Sequence, residues 1–208
     1  MPSRYISRDG GILADRFTDG PYIFQNVHTL GGAARHTAAH TALLCAAAKS
    51  LFGFDPEITA DELRRRIARL TEACRMPSRV SVRAVVRLYP TGSIEIACDE
   101  PSIYAGYVLR SLRPDAICLR MAPPLPSLPT SAAEHTRLLA DTMAHTRGAR
   151  TAILTDSDGT VISESAQPIF IVNGYTVSTP AVSAAEESVE RRLVRESLRQ
   201  TDMTFVER

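Results

Sequence analysis

The sequence is poor in several of the residues on which common functional motifs depend. It has no tryptophan, four widely spaced cysteines without a C-x-x-C pair, and a single lysine, Lys49, among 24 basic residues. Without paired cysteines there is no spacing for a zinc site or a thioredoxin-type redox motif, so we expect buried free thiols in a reducing cytoplasm. A formal net charge of +1 excludes nucleic-acid binding through a strongly basic face.

Long apolar runs are also missing. The stretch TALLCAAAKSLF (41–52) is shorter than the roughly 18 residues of a membrane helix and is interrupted by Lys49. The N-terminal MPSRYISRDGG has no apolar core of a signal peptide. These absences predict a cytoplasmic protein without membrane contact. Hydrophobic residues still make up 44% of the chain, enough for one domain or two small ones to bury a core.

Helix signals recur along the chain. Three capping boxes, each a Ser or Thr followed three residues later by Glu, predict helix starts at Thr59, Ser131 and Ser183. The Ala-rich segment 30–53 predicts a further helix, or two abutting ones, that ends at Gly53. In the helix that begins at Ser131 and runs to Gly148, we expect Leu138, Leu139 and Met143 to face inward.

Residue patterns typical of β-strands lie between these predicted helices. Turn residues such as Asn173-Gly174 bound runs of alternating apolar residues and predict hairpins. The predicted strand segments are 17–28, 80–98, 116–122, 151–163, 169–180 and 202–208.

A Pro-rich segment predicts the domain organisation. Residues 123–131, PPLPSLPTS, contain four prolines in nine positions and should form a stiff extended linker. This predicts an N-terminal α/β domain over 1–122 and a C-terminal α/β domain over 132–208. The fold class is then α+β, with two small α/β halves.

The order of motifs in the second half is the most specific signal in the chain. A D-x-x-G turn, a valine that opens a V-x-E pattern, a phenylalanine that closes N-x-F, and a T-P pair follow one another at Asp156, Gly159, Val161, Phe170, Thr179 and Pro180. This order resembles the fold-type IV pyridoxal-phosphate enzymes. They are the class IV aminotransferases, which include branched-chain and D-amino-acid aminotransferases and aminodeoxychorismate lyase.

The resemblance extends to other parts of the chain. The strand 19–28, which ends in His28, is similar to an early strand of the family, and FVER at the end is similar to a later one. The resemblance implies the D-amino-acid aminotransferase-like architecture, with a barrel-like core in a second half that is shortened here. It also implies a homodimer and a cofactor, pyridoxal phosphate, between the two halves.

The chain departs from the family pattern at the positions of the family's lysine, glutamate and asparagine. The family's Schiff-base lysine falls at Thr130–Ala133, where no lysine occurs, and we interpret Lys49 as a surface residue at a helix end. The family glutamate, which pairs with the pyridine nitrogen, falls on Ser163. Glu164 follows it, and in a strand its side chain would point to the opposite face unless a bulge intervened. The family asparagine is replaced by Pro168.

The phosphate-binding pattern is also altered. The family holds the phosphate at a helix N-terminus with a G-I-T-R-like sequence, which corresponds here to Val189–Arg192 and keeps only the final Arg192. Glu187 and Glu190 add negative charge there, which should repel a phosphate dianion. The early family arginine, three residues after the histidine, becomes Gly31.

These departures predict a degenerate member of the family that binds no pyridoxal phosphate and has lost Schiff-base catalysis. It would keep a cleft for a small-molecule ligand or serve a regulatory role. The candidate cleft residues are His28, Thr130, Ser131, Ser163, Glu164, Thr179 and Arg192. Two alternatives stay open: a divergent but active pyridoxal-dependent aminotransferase or aminodeoxychorismate lyase, and a structural module with a disused cleft.

Two metal-like patterns have simpler interpretations. His36 and His40 lie four residues apart on a predicted helix, but no acidic or cysteine partner is nearby, so we predict no metal site. The DSDG sequence at 156–159 suggests a calcium loop, but the remaining ligands of such a loop are missing, and a hairpin turn explains it.

Overall fold

The computed structural model of the protein describes residues 5–14, 18–76, 81–101, 115–164, 167–183 and 187–208. The chain forms two compact units, Met1–Leu112 and Arg113–Arg208, and both contain helices and strands. The division falls earlier than the Pro-rich segment 123–131. Strand β7 (Ala116–Arg120) pairs with β8 (Thr151–Thr155), so the prolines lie inside the second unit and the boundary predicted from them lies too late in the chain.

The first unit is built on one antiparallel sheet. Its strands are β1 (Tyr5–Arg8), β2 (Gly11–Ala14), β3 (Ile23–Leu30), β4 (Ala33–Ala34), β5 (Val82–Leu88) and β6 (Ile94–Pro101). They lie in the order β2-β1-β6-β5-β3-β4, and each neighbouring pair is antiparallel. The predicted hairpin over 80–98 is confirmed as β5 and β6, although Val80 itself lies outside the described residues.

Two helices cover this sheet. Helix α2 (Ala60–Ala73) begins as predicted after Thr59, whose side chain accepts a hydrogen bond from the amide of Glu62. Its buried stripe is Leu63, Ile67 and Leu70, all at most 1% exposed. This spacing places one apolar face of α2 on the sheet, against β1, β4 and β6.

Helix α1 (Thr37–Phe52) starts later than predicted. Gly31 and Gly32 adopt positive φ values of 63° and 77° and form the turn between β3 and β4 instead of a helical first turn. His36, with a φ of 52°, precedes the first helical residue. The predicted end at Gly53 is confirmed, because this glycine has a φ of 77° and its amide donates to Ala48 O.

A buried carboxylate ties the start of the chain to the first sheet. Glu95 on β6 is fully buried and accepts hydrogen bonds from Arg8 Nε (2.6 Å), the Thr18 amide (3.0 Å) and Tyr89 OH (2.9 Å). Burial by itself raises the pKa of Glu95, but the bonds from Thr18, Tyr89 and Arg8 outweigh it and lower that pKa overall. Burial of the Tyr89 side chain, its hydrogen bond to Glu95 and the Glu95 charge raise the pKa of Tyr89.

We expect the substitution Glu95→Gln to lower the free energy of unfolding at pH 7 by about 1–3 kcal/mol, because four donors, among them the Thr18 hydroxyl, lose their charged acceptor. The lowered pKa of Glu95 means that the wild-type advantage is complete above about pH 4.5, the ordinary value for a glutamate, and decays as the pH falls below it. Urea unfolding of both proteins between pH 3 and 7 measures this difference. The control is the exposed Glu57→Gln, and equal losses in both variants would contradict the assignment.

The second unit contains two parallel strand–helix–strand connections. In the first, β7 leads through α3 (Ser131–Thr146) to β8, and these two strands pair in parallel. In the second, β10 (Thr176–Thr179) leads through α4 (Val189–Leu198) to β11 (Thr204–Glu207), again in parallel. Strand β9 (Ile171–Asn173) pairs antiparallel with β10 and completes the sheet β11-β10-β9. The predicted hairpin is confirmed, although its two turn residues are Gly174 and Tyr175.

The inward face of α3 differs from the prediction. Its buried residues are Ala133, Ala140 and Ala144, whereas Leu138 and Leu139 are 65% and 54% exposed. At about 100° per residue, the two leucines are rotated away from the alanine stripe that packs on β7 and β8. Small side chains let the helix approach the strands closely. Only Met143 of the predicted inward residues packs against this core, which contains Leu119, Ala149, Ala152 and Leu154.

Two helix starts in this unit are also shifted. Thr130, and not Ser131, caps α3, because its hydroxyl accepts from the Ala133 amide at 3.2 Å. Helix α4 is capped by Ser188, five residues after the predicted Ser183, and its hydroxyl accepts from the Arg191 amide. Glu186, the other half of the predicted box, lies outside the described residues. A Ser-x-x-Glu pattern therefore marked the right region but not the capping residue.

The cysteines agree only in part with the expectation of buried thiols. All four are free, but only Cys98 is buried, while Cys118 is exposed on β7.

Within the described parts of the chain, no helix is both long enough and apolar enough to cross a membrane.

Candidate functional site

The turn after β8 leads into a segment that lines a cavity in the second unit. Asp156 accepts hydrogen bonds from the amides of Asp158 and Thr160, both at 2.9 Å, and Gly159 has a φ of 87°. Val161 then bridges back to Thr155. The Asp156 carboxylate is thus engaged by its own turn, as predicted for a hairpin. No group of side chains among the described residues has the composition of a metal site.

The cavity has a volume of about 410 Å³ and is formed entirely by the second unit. One wall is the segment from Thr160 to Glu164, which follows the turn. The lining also includes Pro126 and Ser127 of the Pro-rich segment, the residues after β10, and the first turn of α4. Its volume lies within the range of about 300–1,000 Å³ that small-molecule sites occupy.

Ser163 and Glu164 are both among the residues that line this cavity. The period of two holds for a continuous strand, whereas this segment makes only isolated bridges, at Val161 and at Glu164 with Gln167. The alternation of a continuous strand therefore does not apply to this segment. That Glu164 points away from Ser163 stays a prediction, and the Glu164 carboxylate bonds to Arg137 of α3.

Glu164 is neutralised from within the unit. It is 4% exposed and accepts a hydrogen bond from Arg137 Nη2 of α3. Arg137 Nη1 also donates to Ala152 O at 2.6 Å, and it lies 3.7 Å from Asp141. Burial lowers the pKa of Arg137, and the nearby Asp141 partly offsets this. The carboxylate closest in sequence to the family's glutamate position is thus already paired with a guanidinium.

The segment Thr130–Ala133, where the family's lysine falls, forms the start of helix α3. Thr130 is 6% exposed, and its hydroxyl caps α3. Ser131 is the first residue of that helix and half-buried. Neither residue contributes to the cavity wall. Lys49 lies in the first unit, near the end of α1, and pairs at 3.0 Å with Asp55, with both side chains 69% exposed. The prediction of a surface lysine is confirmed.

The first turn of α4 is dominated by a residue that the sequence reasoning passed over. Arg191 is 1% exposed and lines the cavity; its guanidinium donates to Thr179 Oγ1 (2.8 Å) and Glu207 Oε1 (2.6 Å). The predicted Arg192 is half-exposed and lies 3.9 Å from Glu187. Thr179 therefore acts as a partner of Arg191 behind the cavity wall. An arginine at the third position after a Ser cap, in the stretch that corresponds to the family's phosphate loop, was the available signal.

The acidic residues near this turn are held in different ways. Glu187 is buried and pairs with Arg195 at 2.8 Å. Burial raises the pKa of Glu190, partly offset by hydrogen bonds at the start of the helix. Carboxylates therefore surround the helix start, as the sequence predicts.

The three histidines that the sequence singles out, His28, His36 and His40, belong to the first unit. His28 is exposed on β3, and His36 is exposed before α1. His40 is 3% exposed, and its Nδ1 lies 2.9 Å from Gln25 Oε1. Burial, and then the neighbouring His28 and His36, lower the pKa of His40 to about 4, so this ring is neutral at pH 7. The pair His36 and His40 forms no metal centre with the described residues.

We expect Arg137→Met to lower the free energy of unfolding by about 3–5 kcal/mol, because it leaves the Glu164 carboxylate buried without its cation. The double variant Arg137→Met with Glu164→Gln should recover part of this loss. A urea double-mutant cycle measures the coupling, which we expect to exceed about 1 kcal/mol. Arg199→Met at the exposed end of α4 is the matched control. Additive effects of Arg137→Met and Glu164→Gln would refute the pairing.

Comparison with known proteins identifies relatives of this fold. Residues 26–208 match the family model described as amino-transferase class IV. No curated protein matches the chain. Among solved structures, an aminotransferase from Brucella abortus bound to PLP superimposes with a TM-score of 0.76 at 14% identity, over 98% of this chain and 80% of its own.

Two branched-chain aminotransferases give similar results. The enzyme from Thermoproteus uzoniensis, with norvaline, has a TM-score of 0.74 at 20% identity and is covered over 77% of its length by 98% of this chain. The Escherichia coli enzyme has a TM-score of 0.75 at 16% identity, with 77% of its chain covered by 99% of this one. Identities this low establish the shared fold and leave the activity open.

Proposed function

The chain belongs to the class IV aminotransferase family, and within that family we propose that it binds a small ligand without forming a pyridoxal-phosphate Schiff base. The observation that carries the proposal is the segment Thr130–Ala133, where the family's lysine falls: it contains no lysine, and its Thr130 hydroxyl caps helix α3. A hydroxyl cannot form the imine on which pyridoxal chemistry depends. The chain's single lysine lies in the other unit, exposed and paired with Asp55.

The other contacts that a pyridoxal phosphate needs are also occupied by the protein itself. The ring nitrogen requires an acidic partner, but Glu164 is held by Arg137. The phosphate requires free amides or cations at a helix start, but two of the three guanidinium nitrogens of Arg191 are bound to Thr179 and Glu207. Glu187 and Glu190 flank the same turn. These residues do not fit the cofactor, and we assign no reaction step to it.

A cavity of about 410 Å³ with polar and apolar walls supports ligand binding as the retained role. The walls combine hydroxyls such as Ser127 and Ser163 with proline rings such as Pro126 and Pro168. Such a surface can contact a small molecule that has both a polar and an apolar part. Homodimer formation, which the family resemblance implies, stays a prediction that gel filtration or light scattering would test.

We expect purified protein to form no stable internal aldimine with pyridoxal phosphate. After incubation and dialysis the sample should stay colourless, and after a subsequent borohydride reduction peptide mass mapping should find no pyridoxyl adduct on Lys49. The variant Lys49→Arg serves as the control for non-specific reaction, including that of the N-terminal amine. A yellow species that survives dialysis in the wild type, is lost in Lys49→Arg and maps to Lys49 would overturn the proposal and favour a divergent active enzyme.

A further inference from the structure

The turn between β9 and β10 contains the only Asn-Gly pair of the chain, Asn173-Gly174. Both residues are exposed, and Tyr175 beside them is 77% exposed. The turn lies at the outer edge of the sheet β11-β10-β9, because β9 is the last strand in that order. Neither Asn173 nor Gly174 lines the cavity. The pair is therefore accessible to water, and its chemistry is independent of the ligand-binding role proposed above.

An asparagine that precedes a glycine can react with the backbone next to it. The amide nitrogen of Gly174 can attack the side-chain carbonyl carbon Cγ of Asn173, because glycine has no side chain to obstruct the approach. The new N–C bond closes a cyclic imide, and the side-chain nitrogen leaves as ammonia with the proton of the attacking amide. Water then opens the imide at either carbonyl and gives aspartate or isoaspartate. Water is thus the only co-reactant.

The local structure allows this ring closure. Asn173 must leave the extended conformation in which it pairs with Thr176. Strand β9 has only three residues, all of them exposed, and no strand pairs with its outer edge in the part of the chain that the structure describes. Such short edge segments open at a lower free-energy cost than the core. The Thr204 amide donates to Tyr175 O at 2.7 Å and holds the other side of the turn, so opening is needed only on the β9 side.

The chain's other asparagine, Asn26, is in an environment that opposes the same reaction. It lies half-buried in β3, opposite Val85 of β5. The next residue is Val27, which is fully buried and whose branched side chain obstructs its amide nitrogen. Strand β3 also has a hydrogen-bonded neighbour on each side in the sheet. Asn26 should therefore keep its amide under conditions in which Asn173 loses it.

We infer that Asn173 is a site of spontaneous deamidation, at which the exposed β9–β10 turn acquires a carboxylate as the protein ages. No charged residue occurs between Glu164 and Glu186, so the product carries the only charge in that stretch. The formal net charge of the chain falls from +1 to zero, because one carboxylate is added. In the isoaspartate form the backbone also gains a methylene group, which disturbs the register between β9 and β10.

The test incubates the purified full chain at neutral and at mildly alkaline pH in water labelled with heavy oxygen. Peptide mass mapping locates the lost amide and the incorporated oxygen, and an isoaspartate-specific methyltransferase detects isoaspartate. We expect Asn173 to be converted, faster at the alkaline pH because the attacking nitrogen must lose its proton, and Asn26 to stay intact. Ion exchange should separate the product as a more acidic form, and the variant Asn173→Asp should elute with it.

Two variants separate this reaction from general degradation. Gly174→Ala should slow the conversion by about tenfold or more, because a methyl group obstructs the attack. A Cβ at Gly174 would meet no atom within 4 Å, so only the positive φ of 57° opposes the alanine, and circular dichroism checks that the variant folds. Asn173→Gln should abolish the conversion, because its longer side chain would have to close a larger ring. If Gly174→Ala does not fold, Asn173→Gln and the comparison with Asn26 still decide the matter.

The isolated peptide of residues 169–179 is the positive control, because it contains the Asn-Gly pair without the fold. If the peptide is converted and the folded chain is not, the turn protects Asn173 and the inference is wrong. Equal rates at Asn173 and Asn26, or in the wild type and folded Gly174→Ala, would also overturn it. These outcomes are separable from the failure of the proposed function, because that failure requires a pyridoxyl adduct on Lys49.

Discussion

The buried guanidinium of Arg191 is the interaction on which the second unit's cavity depends. It joins three elements that are separate in sequence, because it extends from the first turn of α4 to Thr179 at the end of β10 and to Glu207 on β11. A charge this deeply buried is stable only when it is paired and hydrogen-bonded, and two of its three nitrogens are. The same side chain thus joins the start of α4 to the two parallel strands β10 and β11.

The second unit satisfies internally the charges that its relatives are expected to offer to a cofactor. Arg137 pairs with Glu164, Arg191 pairs with Glu207, and Arg195 pairs with Glu187. Each pair lies next to the cavity or to the start of α4. Loss of one partner of such a buried pair strongly destabilises a protein, so these pairs contribute to the stability of the second unit.

Much of the local structure could be predicted from the sequence. The cap at Thr59, the end of α1 at Gly53, the turn at Gly159 and the hairpin before Thr179 depend on contacts within a few residues. The inward face of α3 and the caps at Thr130 and Ser188 could not be predicted from such local contacts. At those places several adjacent residues satisfy the same local rule, and packing against strands β7 and β8 or hydrogen bonding at the helix start selects one of them.

By itself the sequence determined the family, the absence of lysine near residue 130, helix α2 and the hairpin of β5 and β6, because these follow from residue identity and short-range periodicity. Only the tertiary structure decided that Arg191 would be buried, that Glu164 would meet Arg137, and that β7 would pair in parallel with β8. The residues in these contacts are separated by between 12 and 35 or so positions in the chain. Charge pairing over such distances depends on the path that the backbone takes, and no local pattern of residues specifies that path.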